Sequence, residues 1–180
     1  MISGQKCAKN ILSPDIGENV MSAGNQQERP STDWIVGFVD GEGCFHVAIN
    51  RQPKMTIGWQ VLPEFRVVQH RRDEHMLQKL VAVFECGHVV KNHDERKEFR
   101  VRGLQNLKRI VKFFQEHPLQ TTKQENFAAF AQVITLMEEE EHLTKEGLEK
   151  IAKIAWRMNR QVKPQCLESS ETTRLASDIR

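Results

Sequence analysis

Two carboxylates stand two residues apart among glycines in Gly37-Phe38-Val39-Asp40-Gly41-Glu42-Gly43. The apolar run before them, Trp34 to Val39, is continuous and predicts a helix buried on several sides. Ser31, Thr32 and Asp33 are N-cap candidates, and Gly41 and Gly43 are expected to end the helix. Asp40 and Glu42 then lie at the negative end of the helix dipole. Carboxylates there are poorly placed unless a cation compensates them. A hard divalent ion such as Mg2+ takes oxygen ligands and meets that need. The same Gly-Asp-Gly run also serves as an ordinary turn closing a buried helix, so alone it leaves both readings open. Gly37 interrupts an otherwise apolar helix, where glycine costs about 1 kcal/mol relative to alanine. What it offers is close approach of another backbone.

The elements that must position these residues read as α+β. In 44–50, Phe45, Val47 and Ile49 share one face and His46, Ala48 and Asn50 the other, which is strand period. A loop broken by Pro53 follows, then a second strand over roughly 59–69. There Phe65 and Val67 point one way and Glu64, Arg66 and Val68 the other; Pro63 predicts an edge or a bulge. Leu77, Leu80, Val81 and Phe84 predict a helix over 73–85 with Asp73 as cap. A hairpin of 88–92 and 98–102 comes next, turning near Asp94-Glu95, with Phe99 and Val101 inward and Arg100 and Arg102 outward. Helices over 104–116 and 124–141 follow, then one starting at Thr144, where Leu143 and Leu148 are spaced to staple. Helix, two strands, helix, two strands, then helices implies strands pairing locally as hairpins. Residues 1–30 and 162–180 lack settled periodicity and read as tails, leaving a folded part over 31–161.

Composition narrows the classes. The chain has 180 residues, 39% hydrophobic and 28% charged, which fits one soluble globular domain. No apolar run approaches the roughly 20 residues of a membrane span, and the N-terminus lacks a signal pattern. An intracellular setting is expected, and no membrane partner. Cys7, Cys44, Cys86 and Cys166 lie far apart, which suits reduced thiols. The net +2 conceals an asymmetry. Residues 1–43 hold 3 Lys/Arg against 6 Asp/Glu, 44–123 hold 15 against 8, and 124–180 hold 8 against 10. A basic middle between acidic ends is a mild nucleic-acid signal. Three sharper signals fail. Cys86, His88 and His93 lack a fourth zinc ligand at usual spacing. Glu138 to Glu141 point around a helix rather than together. No Gly-rich phosphate loop is present, so no small-molecule cofactor is expected.

Ile35 to Gly43 resembles the nine-residue signature of the LAGLIDADG homing endonucleases, with Gly37, Asp40 and Gly43 identical and Glu42 replacing the second aspartate. Pro63 to His70 is similar to the family's second strand with its Gln-ended exit, and Pro118 to Lys123 to its Pro-Leu-x-Thr-Lys element. His142 to Leu148, with Ile151 and Met158-Asn159, resembles its C-terminal helix. The resemblance spans about 31–161 and implies an αββαββα fold with an antiparallel DNA-binding sheet. It implies an endonuclease cutting both strands of a long, roughly palindromic target and leaving short 3′ overhangs. One signature in the chain implies a homodimer, with Trp34, Val36, Gly37 and Asp40 at the seam. Glu42 would be the Mg2+-binding carboxylate and the Gly41 carbonyl a further ligand. Gln69 would orient solvent, and Lys123 would stabilise phosphate charge. The basic residue the family often carries just after the glutamine is not matched; Arg71 or Arg72 could substitute.

On that reading the outward strand faces are the DNA-reading candidates: His46, Ala48, Asn50, Gln60, Glu64, Arg66, Val68, His88, Asn92, Arg100 and Arg102, with His70 and Arg71 at the exit of the second strand. A β-ribbon fits the major groove, where Arg reads guanine and Asn or Gln reads adenine. Lys54, Lys91, Arg96 and Lys97 are expected in loops, touching phosphates. The family also implies a gene inside a mobile intron, in a bacterial cytoplasm, chloroplast or mitochondrion. Two rival functions share the scaffold: an RNA maturase, and a DNA-binding regulator that has lost cleavage.

Overall fold

The computed structural model describes residues 29–158 and 164–167. The elements run α1 (Thr32–Glu42), β1 (Gly43–Arg51), β2 (Trp59–His70), α2 (Glu74–Phe84), β3 (His88–His93), β4 (Arg96–Val101), α3 (Leu104–Glu116), α4 (Lys123–Glu138) and α5 (Lys145–Met158). This is the expected αββαββα order with two further helices. The four strands form one antiparallel sheet in the order β1-β2-β4-β3. Two local hairpins are joined where β2 meets β4.

Period two decides the layers. Phe45, Val47, Val61, Phe65, Val67, Phe99 and Val101 bury on one face of the sheet. Leu77, Leu80 and Phe84 of α2, Leu107, Ile110 and Phe114 of α3, and Phe127, Phe130, Val133 and Ile134 of α4 complete that core. Aromatic rings knit it. Phe65 lies 5.0 Å from Phe45, 6.2 Å from Phe99 and 6.1 Å from Phe114, centroid to centroid. The opposite face carries polar positions of all four strands, among them His46, Asn50, Gln60, Arg66, Arg100 and His88.

Several boundaries depart from expectation. Helix α1 runs through Gly41 and Glu42 and ends at Gly43, whose N–H bonds the Val39 carbonyl. A Cβ on Gly43 would sit 2.6 Å from Val39 Cγ1 and 2.7 Å from Val39 O, so glycine alone fits this exit. Ser31 is the cap; its Oγ accepts from Trp34 N at 3.2 Å. Pro63 lies in an inner strand, yet β4 pairs with β2 only from Phe65 to His70. At Pro63 β2 is flanked by β1 alone, an edge-like position that tolerates a proline. Asp73 gives no capping bond; a 3-10 turn over Arg71–Asp73 leads into α2, and His70 Nδ1 accepts from Arg72 N at 3.2 Å.

Helix α4 stops at Glu138 rather than near 141, because Glu140 turns left-handed at φ 60. Thr144 does cap α5, accepting from Gly147 N at 3.0 Å. Leu143, expected to staple, is 45% exposed. The expected tails fall largely on residues 1–28, 159–163 and 168–180, which lie outside the described residues. Where the structure does describe them, they join the body. Arg29 donates to the Ala82 carbonyl of α2 at 3.0 Å, and Cys166 and Leu167 are buried.

Candidate active site and nucleic-acid face

The C-terminal end of α1 gathers the chemistry. Glu42 is exposed in its last turn. Lys123, the first residue of α4, donates from Nζ to the Val39 carbonyl at 2.9 Å. A cation at the negative end of a helix is favourably placed. Burial pushes the Lys123 ammonium below the usual lysine range, against the pull of Asp40, Cys44 and Glu42. Gly43 pairs with Val67 across the β1–β2 ladder, so Gln69, two residues further along, lies beside the helix exit. Glu42 and Lys123, far apart in the chain, thus meet at one end of α1, with Gln69 at the adjoining register positions of β2. Among the described residues no three His, Cys, Asp or Glu side chains gather as a metal cluster. Glu42 and the carbonyls ending α1 are hard oxygen donors, which suit a divalent ion completed by groups from elsewhere.

Asp40 does something the sequence does not announce. Its Oδ2 accepts from Gln120 N at 2.7 Å, and its Oδ1 accepts from Thr121 Oγ1 at 2.7 Å and Thr121 N at 3.3 Å. Burial would raise this carboxyl, but these bonds and nearby Lys123 hold it below the usual aspartate range. Asp40 therefore clamps the segment leading into α4 onto α1 and sets Lys123 in place. Val36, expected at a seam, is buried in the chain's own core with Ile35 and Val39. The outward stripe of α1 is instead Asp33, Gly37 and Gly41, flanked by Trp34 stacked on Phe38 at 4.7 Å. A Cβ on Gly37 or Gly41 would meet nothing within 4 Å among the described residues.

The open face of the sheet reads in rows set by register. One row is Cys44, Arg66, Arg100 and His88; the next is His46 and Glu64; on the other side come Val68, Glu98 and Val90. Ala48, Asn50 and Gln60 continue the face toward the Arg51 to Gly58 loop. Asn92 reaches it through a bulge in β3 and donates to Glu98 Oε2 at 2.8 Å. His70 and Arg71 lie at the exit of β2, where both contact Glu95, at 3.1 and 3.0 Å.

Two assignments change. Lys97 is not in a loop: β4 starts at Arg96, and alternation puts Lys97 on the helix side, opposite Gln69 and 3.2 Å from Glu74 of α2. Lys91 and Arg96 are likewise in strands. Glu64 is buried, its Oε2 accepting from Arg102 at 2.7 and 2.6 Å. Its carboxylate is engaged inside the chain rather than presented outward. Glu98 went unnoticed in the sequence; alternation alone places it on the same face as Arg100.

The comparisons agree with this geometry. The family model described as LAGLIDADG endonuclease matches residues 35–134. "Probable intron-encoded endonuclease 2" of Neurospora crassa is 33% identical over 137 residues, covering 72% of this chain and 30% of the relative. "DNA endonuclease I-CvuI" of Chlorella vulgaris is 31% identical over 70 residues, 39% of this chain and 44% of the relative. Among solved structures, the homing endonuclease I-TnaI superposes with a TM-score of 0.75 at 49% identity, covering 81% of this chain and 99% of that one. I-SmaMI, bound to uncleaved DNA target with calcium ions, gives 0.75 at 30% identity, covering 78% of this chain and 48% of that one. The chain spans under a third of the Neurospora relative, about half of I-SmaMI and nearly all of I-TnaI. With the family model covering more than half the sequence and I-TnaI matched almost end to end, the chain belongs to the LAGLIDADG endonuclease family.

Proposed function

We propose that the chain is a site-specific, Mg2+-dependent DNA endonuclease. It acts as a homodimer and cuts both strands of a long, roughly palindromic target. The observation that carries this reading is the convergence of exposed Glu42 and the Lys123 ammonium at one end of α1, beside a strand face bearing an arginine row. Glu42 and the Gly41 carbonyl would hold the ion. Mg2+ bound there would supply an activated water and a stabilised leaving oxygen. Lys123 offsets the charge that grows on the attacked phosphate, and Gln69 orients the water. The Asp40 clamp keeps Lys123 at that point while the backbone of DNA is engaged.

One chain supplies one such carboxylate end. Two copies joined through the Gly37–Gly41 stripe would bring two ends together, one per strand. The absence of any intrachain neighbour at those glycines among the described residues supports this, since the monomer itself gains nothing from them. The names of relatives from Neurospora crassa and Schizosaccharomyces pombe, "intron-encoded" endonucleases, support a gene within an intron. The protein would then work inside an organelle or a bacterial cytoplasm, without a small-molecule cofactor. No helix among the described residues is long and apolar enough to cross a membrane.

The test is incubation with the intronless DNA that flanks the gene, with Mg2+ or with chelator. Double-strand cutting at one position, only with the ion, is expected. Binding without cutting would favour the regulator reading, and affinity for the intron RNA alone would favour the maturase.

A further inference from the structure

Two carboxylates are sunk into the open face of the sheet, where a surface meant for phosphates gains nothing from negative charge. Glu98 is 1% exposed and Glu64 8%. Burying a carboxylate is costly unless it is paired. Register explains how it is done. Glu98 stands between Val68 and Val90, whose apolar side chains wall it in. Its oxygens accept from Arg100 Nε at 2.5 Å and Asn92 Nδ2 at 2.8 Å. Glu64 lies two residues along β2 from Arg66 and accepts from Arg102 at 2.7 and 2.6 Å. Glu64 also stands 3.4 Å from Arg66 Nε and 3.9 Å from Arg100 Nε. Arg66 and Arg100 are direct cross-strand neighbours. The guanidinium row is therefore bracketed by an acid on each side, Glu64 along one flank and Glu98 along the other.

We propose that Glu98 and Glu64 are positioning residues that fix the orientation of Arg100 and Arg102 for reading base edges beside Arg66, and so set the sequence selectivity of the face. The inference rests on the DNA-binding reading above. Its physical content is twofold. A guanidinium held at Nε by a buried carboxylate keeps its remaining N–H groups aimed one way, which suits bidentate contact with guanine. The two acids also offset two of the three arginine charges, which weakens the sequence-blind pull of phosphates. Freed of its acid, an arginine is a mobile cation and finds phosphate instead.

The experiment uses the full chain. Wild-type protein selects duplexes from a randomised DNA pool in Ca2+. The selected duplex and its single-base-pair changes are then bound by wild type, Glu98→Gln and Glu64→Gln at two salt concentrations, and each protein is melted. Expected for each variant is a loss of about tenfold in preference at particular base pairs. Affinity for random duplex should rise, and the salt dependence should steepen by up to about one phosphate contact. Glu64→Gln stands in if Glu98→Gln does not fold, since Glu64 lies nearer the rim. A variant that melts lower yet keeps wild-type preferences and salt slope shows the acids to be merely structural and overturns the inference. Failure of wild type to enrich any sequence would overturn the DNA-reading proposal itself.

Discussion

A carboxylate in the last turn of a helix is repelled by the carbonyls around it, by about 0.3–1 kcal/mol at an exposed site. Glu42 sits in that position, exposed, with Lys123 held one helical turn away by the Val39 carbonyl. A bound cation would reverse the repulsion, which gives Glu42 a reason to be acidic. Glu42→Gln keeps size and shape and removes the charge. It should abolish cutting while DNA affinity in Ca2+ stays near wild type; near-normal cutting in Mg2+ would remove Glu42 from the metal site. Lys123→Met keeps the apolar stem and deletes the ammonium. Single-turnover cutting should fall by about 10²–10³-fold with binding little changed, the scale for one lost stabiliser of developing charge. The carboxylate pattern around Glu42 was legible in the sequence because motif residues are contiguous. The roles of Asp40 and Glu98 were not, because each depends on partners that only tertiary contact supplies: Thr121 eighty-one residues away, and a strand register that seats Glu98 between two valines.

At the scale of elements, two joints hold the site in shape. The first is the aromatic core beneath β2. Phe65 is fully buried among Phe45, Phe84, Phe99 and Phe114. Phe65→Ala should cost about 3–5 kcal/mol of unfolding free energy, measured by denaturant melts. The second joint is the Asp40 clamp between α1 and the segment entering α4. Its carboxyl is held below the ordinary 3.8, so the folded state favours the charged form. The stability this adds is fully present above the unfolded value and is lost as pH falls through the lowered folded value. In chelator, wild type should therefore melt above Asp40→Asn at neutral pH, and the gap should narrow as the pH is taken below about 4. A gap independent of pH would mean that the charge of Asp40 is not what binds the segment. Strand and helix identities were readable here because period two and period 3.6 are local signals. Ends were less so. Glu140 breaks α4 by a backbone turn no side-chain pattern encodes, and the tighter β3–β4 turn drew Lys97 into a strand and onto the helix side.

For the whole molecule the deciding feature is a surface of α1 that no other described residue covers. Gly37 and Gly41 lie one helical turn apart on the outward side of α1, and a Cβ at either would meet nothing within 4 Å among the described residues. Within the monomer these glycines are a cost, about 1 kcal/mol each against alanine in a helix interior. A second α1 approaching backbone to backbone would recover that cost, with Trp34 and Phe38 on the flank adding apolar area to the contact. Two-fold pairing makes the two surfaces self-complementary and requires a DNA site with matching halves. Gly37→Leu separates the monomer's needs from the dimer's. A Cβ there meets nothing within 4 Å among the described residues, so the melting transition should be kept or raised. The same side chain would wedge two helices apart. On the proposed pairing, sedimentation should then show monomer where wild type is expected to run as a dimer, and double-strand cutting should be lost even though Glu42, Gln69 and Lys123 are untouched. A dimer of wild-type affinity in Gly37→Leu would show that the copies join elsewhere, and the palindromic target would lose its structural basis.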